Sequence, residues 1–173
     1  DAWLSVLRVA LQELTPEAPL LVLPNGRSIP RHVDELRKAG FESAIALHEA
    51  LGVESSAGEG DALTAGAQDT MLSARRKLAD AFAQRAATPL LVTTEQGARG
   101  VDLKGIDCVL LMGLPQRADA YVHVAGRTAR EGRRGRAVSL IFSEQDEARL
   151  GEFKAELGIK VSSVDLKWLK PET

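Results

Sequence analysis

The chain has 173 residues, 45% of them apolar and 27% charged, which is enough for one buried core and too apolar for global disorder. Its single cysteine excludes a disulfide scaffold and any multi-cysteine zinc site, and fits a reducing, intracellular setting. A net charge of −2 does not announce nucleic acid, no apolar run approaches the ~20 residues of a bilayer span, and residues 1–14 lack a secretory pattern.

Trp3, Val6, Leu7, Ala10, Leu11 and Leu14 recur at helical spacing, and Pro16 and Pro19 end that helix. Leu20 to Leu23 reads as a buried strand that runs into a Pro24-Asn25-Gly26 turn. Pro30 opens a second helix, with Val33, Leu36 and Ala39 inward and Gly40 as its stop. Phe41 to Leu47 alternates loosely, as a second strand would. Between Gly52 and Asp69 stand four glycines, four alanines, two serines, four acids and no base. Such a stretch cannot offset its ordering entropy, so it is expected to be a flexible insertion, either a passive loop or an acidic tether for a basic partner.

Met71 to Gln84 is helical by period. Leu90 to Thr93, Cys108 to Met112 and Ala137 to Phe142 read as further short strands, and Ala118 to Ala125 and Glu144 to Leu157 as helices. Strands apolar on both faces and separated by helices require a parallel sheet covered on both sides. The expected fold is therefore a doubly wound α/β sandwich. Cys108 fits its core, Trp3 fits the inner face of the first helix, and Trp168 lies in a C-terminal tail that packs back or meets a neighbour. His32 has no partner in sequence and is expected to face solvent. Three histidines and one cysteine without close spacing suggest no metal site.

The charge is uneven along the chain. Residues 127–136 read RTAREGRRGR, five arginines against Glu131, which leaves 17 basic and 23 acidic groups elsewhere. Arginine suits bidentate contact with phosphate, and lysine is absent from this segment. Ligands of doubly wound sheets sit at the carboxyl ends of the strands. Three polar stretches are expected there: Asn25-Gly26-Arg27, Thr93 to Asp102, and His123 to Arg130. In the second, Gly97 and Gly100 permit tight turning, and Thr94 and Asp102 offer a hydroxyl and a carboxylate. In the third, continued helix would place His123, Gly126, Arg127 and Arg130 on one face, suited to a developing phosphate charge.

Thr94-Glu95, Arg99-Gly100-Val101-Asp102, Leu114-Pro115 and Tyr121-Val122-His123, followed by Gly126-Arg127-Thr128 and Arg130, resemble the C-terminal RecA-like half of a DEAD-box RNA helicase. Leu20 to Asn25 and Leu47-His48 resemble two further motifs of that family, and Arg75 falls where the family has the arginine of its Q-x-x-R element. The likeness runs from about Trp3 to Leu157. It implies a RecA-like domain over residues 1–158, with 52–69 as the insertion and 159–173 as a C-terminal extension.

It also implies roles. Asp102 would bind the ATP ribose, while Arg127 and Arg130 would reach the phosphates across an interdomain cleft that His123 helps to couple. Thr94, Arg75, Gly100, Arg99 and the Asn25-Gly26-Arg27 turn would touch the RNA backbone, which holds a strand without reading its sequence. ATP and Mg2+ would be shared with an N-terminal RecA-like domain. These 173 residues contain no G-x-x-x-x-G-K-[ST] and no Asp-Glu-Ala-Asp, the parts that hold phosphates, magnesium and water, so alone they should not hydrolyse ATP.

Several positions depart from the family. Val124 replaces an arginine, Gly113 and Glu95 replace aspartates, and Leu72 replaces the glutamine of Q-x-x-R. Two readings stay open: one half of an ATP-dependent RNA helicase, or a non-catalytic, degenerate helicase module that scaffolds a ribonucleoprotein such as an assembling ribosome.

Overall fold

The structure, a computed structural model, describes residues 2–51, 89–99, 105–130 and 132–163. In chain order it contains α1 (Ala2–Leu14), β1 (Pro19–Leu23), α2 (Ile29–Lys38), β2 (Ile45–Ala46), α3 (Leu47–Ala50), β3 (Leu91–Thr94), β4 (Cys108–Met112), α4 (Ala118–Ala125), β5 (Arg136–Leu140) and α5 (Glu144–Leu157). The expected insertion at 52–69, the expected helix Met71–Gln84 and Trp168 lie outside the described residues.

The strands form one five-stranded sheet in the order β2-β3-β1-β4-β5, and every pairing is parallel. Alternate residues of each central strand feed two cores. Leu20, Val22, Leu91, Val109 and Leu111 pack with Tyr121 and Val124 of α4 and Phe153 of α5. Leu21, Leu23, Val92, Cys108 and Leu110 pack with Leu7 of α1 and with Val33 and Leu36 of α2. Both faces are thus covered, as a parallel sheet requires, and the fold is a RecA-like α/β sandwich. Burial pushes the Cys108 thiol up to about 11, in keeping with a small core residue.

Local signals set the helix ends. The Ser28 hydroxyl accepts from the Arg31 amide at 3.4 Å, and Pro30 stands in the first turn of α2. Ser143 caps α5 in the same way at 3.1 Å, and Gly158 closes it in the left-handed region at φ 63°.

Two expectations fail here. The strand expected over Phe41–Leu47 is only Ile45–Ala46, because the Ala44 amide turns back to the Phe41 carbonyl and Leu47 already starts a helix. His32 does not face solvent. It is buried beside Trp3, with ring centroids 5.8 Å apart, and its Nδ1 lies 2.8 Å from the Ser28 carbonyl.

Asp107, just before β4, ties the amino-terminal edge of the sheet together. Its carboxylate accepts the Glu17 and Ala18 amides at 2.9 and 2.8 Å, and its carbonyl accepts the Arg136 amide at 2.9 Å. The entries to β1, β4 and β5 are thereby joined at one residue. Asp107→Ala removes both side-chain acceptors and strands the amide of buried Ala18. The expected loss is about 2–3 kcal/mol, read as a lower urea midpoint at unchanged slope.

Candidate functional site

A parallel sheet has two edges, and the candidate residues divide between them. At the carboxyl edge, β1 ends in Pro24-Asn25-Gly26-Arg27 and β3 in the Thr94–Arg99 turn. The Asn25 side-chain oxygen accepts the Gln96 amide at 2.9 Å, and the Glu95 amide donates to the Leu23 carbonyl at 3.1 Å. Neighbouring parallel strands therefore deliver two polar turns side by side. Gly26 holds φ 81°, which keeps that turn open to glycine alone at little cost.

The turn after β3 is organised by its own hydroxyl. Thr94 Oγ1 accepts the Gly97 amide at 3.1 Å, and the Ala98 amide returns to the Thr94 carbonyl at 2.9 Å. A methyl at Gly97 would stand 2.6 Å from the hydroxyl of buried Thr93, so the glycine serves close packing here. Glu95, in place of the family's aspartate, pairs with Arg99 at 3.1 Å. Asn25, Arg27 and Arg99 are exposed and Thr94 is half-buried. Arg75, Gly100 and Asp102 lie outside the described residues.

The third stretch is not where it was expected. α4 follows β4 and runs back down the sheet, so the residues after it lie at the amino-terminal edge, beside the entry to β4. The Thr128 hydroxyl donates to the Ile106 carbonyl at 2.8 Å, and Thr128 is buried. Arg127 and Arg130 therefore sit across the sheet from Asn25 and Thr94. The sequence pattern misplaced them because the rule for carboxyl edges applies to residues leaving strands, and these leave a helix.

Nor does helix continue to Arg130. It ends at Ala125, and Ala129 at φ 56° breaks any further turn. Among the described residues, the end of the helix itself contributes to holding the arginines. Arg127 Nε donates to the His123 carbonyl at 3.1 Å, and Arg130 Nε donates to the Gly126 carbonyl at 2.8 Å. Each satisfies a carbonyl near the helix terminus, where the dipole also favours a cation. Both are half-buried, whereas His123 is exposed with Nδ1 2.8 Å from the Asp119 carbonyl. At the start of α4, Arg117 grips Asp119 through two bonds of 2.9 and 3.1 Å and holds that carboxyl below its usual range.

The two departures at Gly113 and Val124 meet in space. Both line a depression of about 140 Å3 under the carboxyl edge, together with Val22, Leu111, Leu114 and Pro115. Val124 is 2% exposed and belongs to the core, and Gly113 takes φ 83°, a conformation that suits glycine better than aspartate. An acid and an arginine of the family pattern are thus absent from one wall. Sequence spacing shows each change but not that they share a surface. Among the described residues there is no group of three His, Cys, Asp or Glu side chains able to hold a metal ion, and no helix is long and apolar enough to cross a membrane.

Comparison with known proteins gives these edges a setting. The family model described as the helicase conserved C-terminal domain matches residues 42–132. An Emericella nidulans protein named ATP-dependent RNA helicase mak5 is 33% identical over 132 residues, covering 75% of this chain and 15% of that protein. This chain therefore spans only a small part of that relative's length. The E. coli DEAD-box protein SrmB, solved bound to regulator of ribonuclease activity A, aligns with a TM-score of 0.67 at 22% identity, over 98% of this chain and 87% of that one. The DEAD-box helicase Mss116, solved bound to ssRNA and UDP-BeF, aligns with a TM-score of 0.57 at 19% identity, over 91% of this chain and 28% of that one. With its parallel RecA-like sheet and the ordered motifs on its two edges, the chain belongs to the helicase conserved C-terminal domain family and shares the fold of DEAD-box C-terminal RecA-like domains.

Proposed function

We propose that this domain works in an ATP-dependent RNA helicase, holding RNA backbone at its carboxyl edge and offering Arg127 and Arg130 to ATP at its amino edge. The observation that carries the reading is the clamped arginine pair. Each Nε is fixed on a backbone carbonyl at the end of α4, and the turn between them is anchored through buried Thr128. Guanidiniums held this way lose little further entropy on meeting phosphate, which is what an arginine finger needs.

The residues fit the phosphates of a nucleotide but not the whole of it. Arginines match phosphate oxygens, whereas the magnesium ligands and the phosphate loop would come from the N-terminal RecA-like domain. ATP with its magnesium ion supplies the phosphoryl group and its activation when bound. This chain's part is to neutralise charge on the phosphates with Arg127 and Arg130, with Asp102 on the ribose and His123 toward the partner domain. The RNA face comprises Asn25, Gly26, Arg27, Thr94 and Arg99, with Arg75 and Gly100. Mss116, which shares the fold, is solved with ssRNA and UDP-BeF, ligands of the two kinds these edges would take.

A second reading is favoured by one observation. Val124 and Gly113 leave the depression under the carboxyl edge without the arginine and aspartate of the family pattern. A domain changed in this way serves as a non-catalytic module in a ribonucleoprotein, such as an assembling ribosome. The compartment would be intracellular and reducing on either reading.

These readings separate experimentally. A polypeptide of these 173 residues should show no RNA-stimulated ATPase above buffer. Turnover that Arg130→Ala abolishes would overturn the half-site assignment. The same polypeptide should bind single-stranded RNA weakly and without base preference. With about three phosphate contacts, log affinity against log salt should fall with a slope near −2. Arg75→Ala should shallow that slope by about one contact's share, near 0.7. Strong base preference, or indifference to salt, would remove the backbone-binding assignment.

In the full-length protein, Arg127→Ala or Arg130→Ala should cut turnover by about 10³-fold or more, the range of an arginine finger. Nucleotide-free RNA affinity, measured on the same variants, should hardly change because the two edges lie apart. Collapse of RNA affinity with turnover intact would move the arginines to the RNA face. A parent that never turns over ATP, and in which neither change matters, would favour the scaffold.

A further inference from the structure

We propose that Gly135 is a positioning residue for the Arg127/Arg130 pair, acting by leaving room for the turn that carries them. The inference rests on the reading of those arginines as phosphate ligands. Two segments converge on the residues before β4. The Thr128 hydroxyl is bonded to the Ile106 carbonyl at 2.8 Å, and the Arg136 amide to the Asp107 carbonyl at 2.9 Å. Gly135 immediately precedes that second anchor, so its backbone passes directly against the arginine turn.

A methyl group there has no space. Built on Gly135, it would stand 2.1 Å from Thr128 Oγ1, 2.4 Å from the Ala129 nitrogen and 2.9 Å from Thr128 Cβ. Rotating the Thr128 side chain could relieve only the first contact, at the cost of the bond to Ile106. The other two atoms move only with the backbone. Because Arg136 is pinned to Asp107, the turn must give way, and Ala129 already holds a strained φ of 56°. Ala129 lies between the two arginines. Any shift of it changes the distance from Arg127, clamped on His123, to Arg130, clamped on Gly126. The φ of Gly135 is not in the left-handed region, so close approach alone demands a glycine here.

The test uses the full-length protein with its N-terminal domain and compares Gly135→Ala with Arg127→Ala and Arg130→Ala. Gly135→Ala should lower kcat for RNA-stimulated ATP turnover by roughly 10²-fold, the cost of about 1 Å of misplacement. RNA affinity should stay unchanged, and amide exchange should quicken over Thr128–Arg130 but not over Leu20–Val22. Should Gly135→Ala fail to fold, Thr128→Val loosens the same turn without added bulk. It should lower kcat in the same direction, and Thr128→Ser, which keeps the hydroxyl, should recover most of the loss. Wild-type kcat in Gly135→Ala beside a dead Arg130→Ala would overturn the proposal, as would unchanged exchange over the turn. If instead neither arginine variant affects turnover, the phosphate reading itself fails, and the exchange data alone decide whether Gly135 holds the turn.

Discussion

Parallel strand direction is the constraint on which the placement of every candidate residue depends. All the described strands run the same way, so each connection must cross the height of the sheet before the next strand can begin. Groups that follow a strand are left at the carboxyl edge, and groups that follow a helix at the amino edge. Asn25 and Thr94 are of the first kind, and Arg127 and Arg130 of the second. A single domain can therefore carry two separate polar edges, the ones proposed above for polynucleotide and for phosphate, without the two competing for space. α4 spans the interval, with its first turn near one edge and its arginines at the other.

The amino edge is stiffened by backbone hydrogen bonds more than by ion pairs. Asp107 gathers the amides of Glu17 and Ala18, its carbonyl takes the Arg136 amide, and the neighbouring Ile106 carbonyl takes the Thr128 hydroxyl. Arginines serve the same purpose elsewhere: Arg136 reaches the Leu14 carbonyl at 2.7 Å and Arg37 the Ala44 carbonyl at 2.9 Å. A guanidinium has several donors, so it can satisfy a helix or loop terminus and still face a ligand. That dual use lets an overall acidic chain keep an arginine-rich edge in register. By contrast, the ion pairs Arg31–Glu35 and Arg117–Asp119 are largely exposed and contribute little to stability.

The departures from the family pattern also make sense as packing. With Val124 instead of arginine, α4 carries an apolar residue into the core beside Tyr121 and Phe153, whose rings are 5.7 Å apart. With Gly113 instead of aspartate, the chain turns at positive φ into Leu114-Pro115, and that loop is braced by Arg149, which reaches the Leu114 carbonyl at 3.5 Å and pairs with Asp146 at 3.3 Å. The depression under the carboxyl edge is less charged than the family pattern implies, while the arginine turn keeps its anchors.

Much of this was legible in the residues themselves. Period 3.6 and short apolar runs located α1, α4, α5 and β4 to the residue or nearly so, because burial on one helix face or on both strand faces imposes those patterns directly. The order of motifs from Thr94 to Arg130 likewise identified the family. Contacts distant in sequence were not legible. That His32 is buried depends on Trp3, that β2 is short depends on a turn at Phe41–Ala44, and that Gly135 must lack a side chain depends on Thr128. The edge occupied by the arginines was decided by the return path of α4. Local pattern records which face of an element is buried. Only the closing of the sheet determines which elements meet, since those contacts join residues that no periodicity connects.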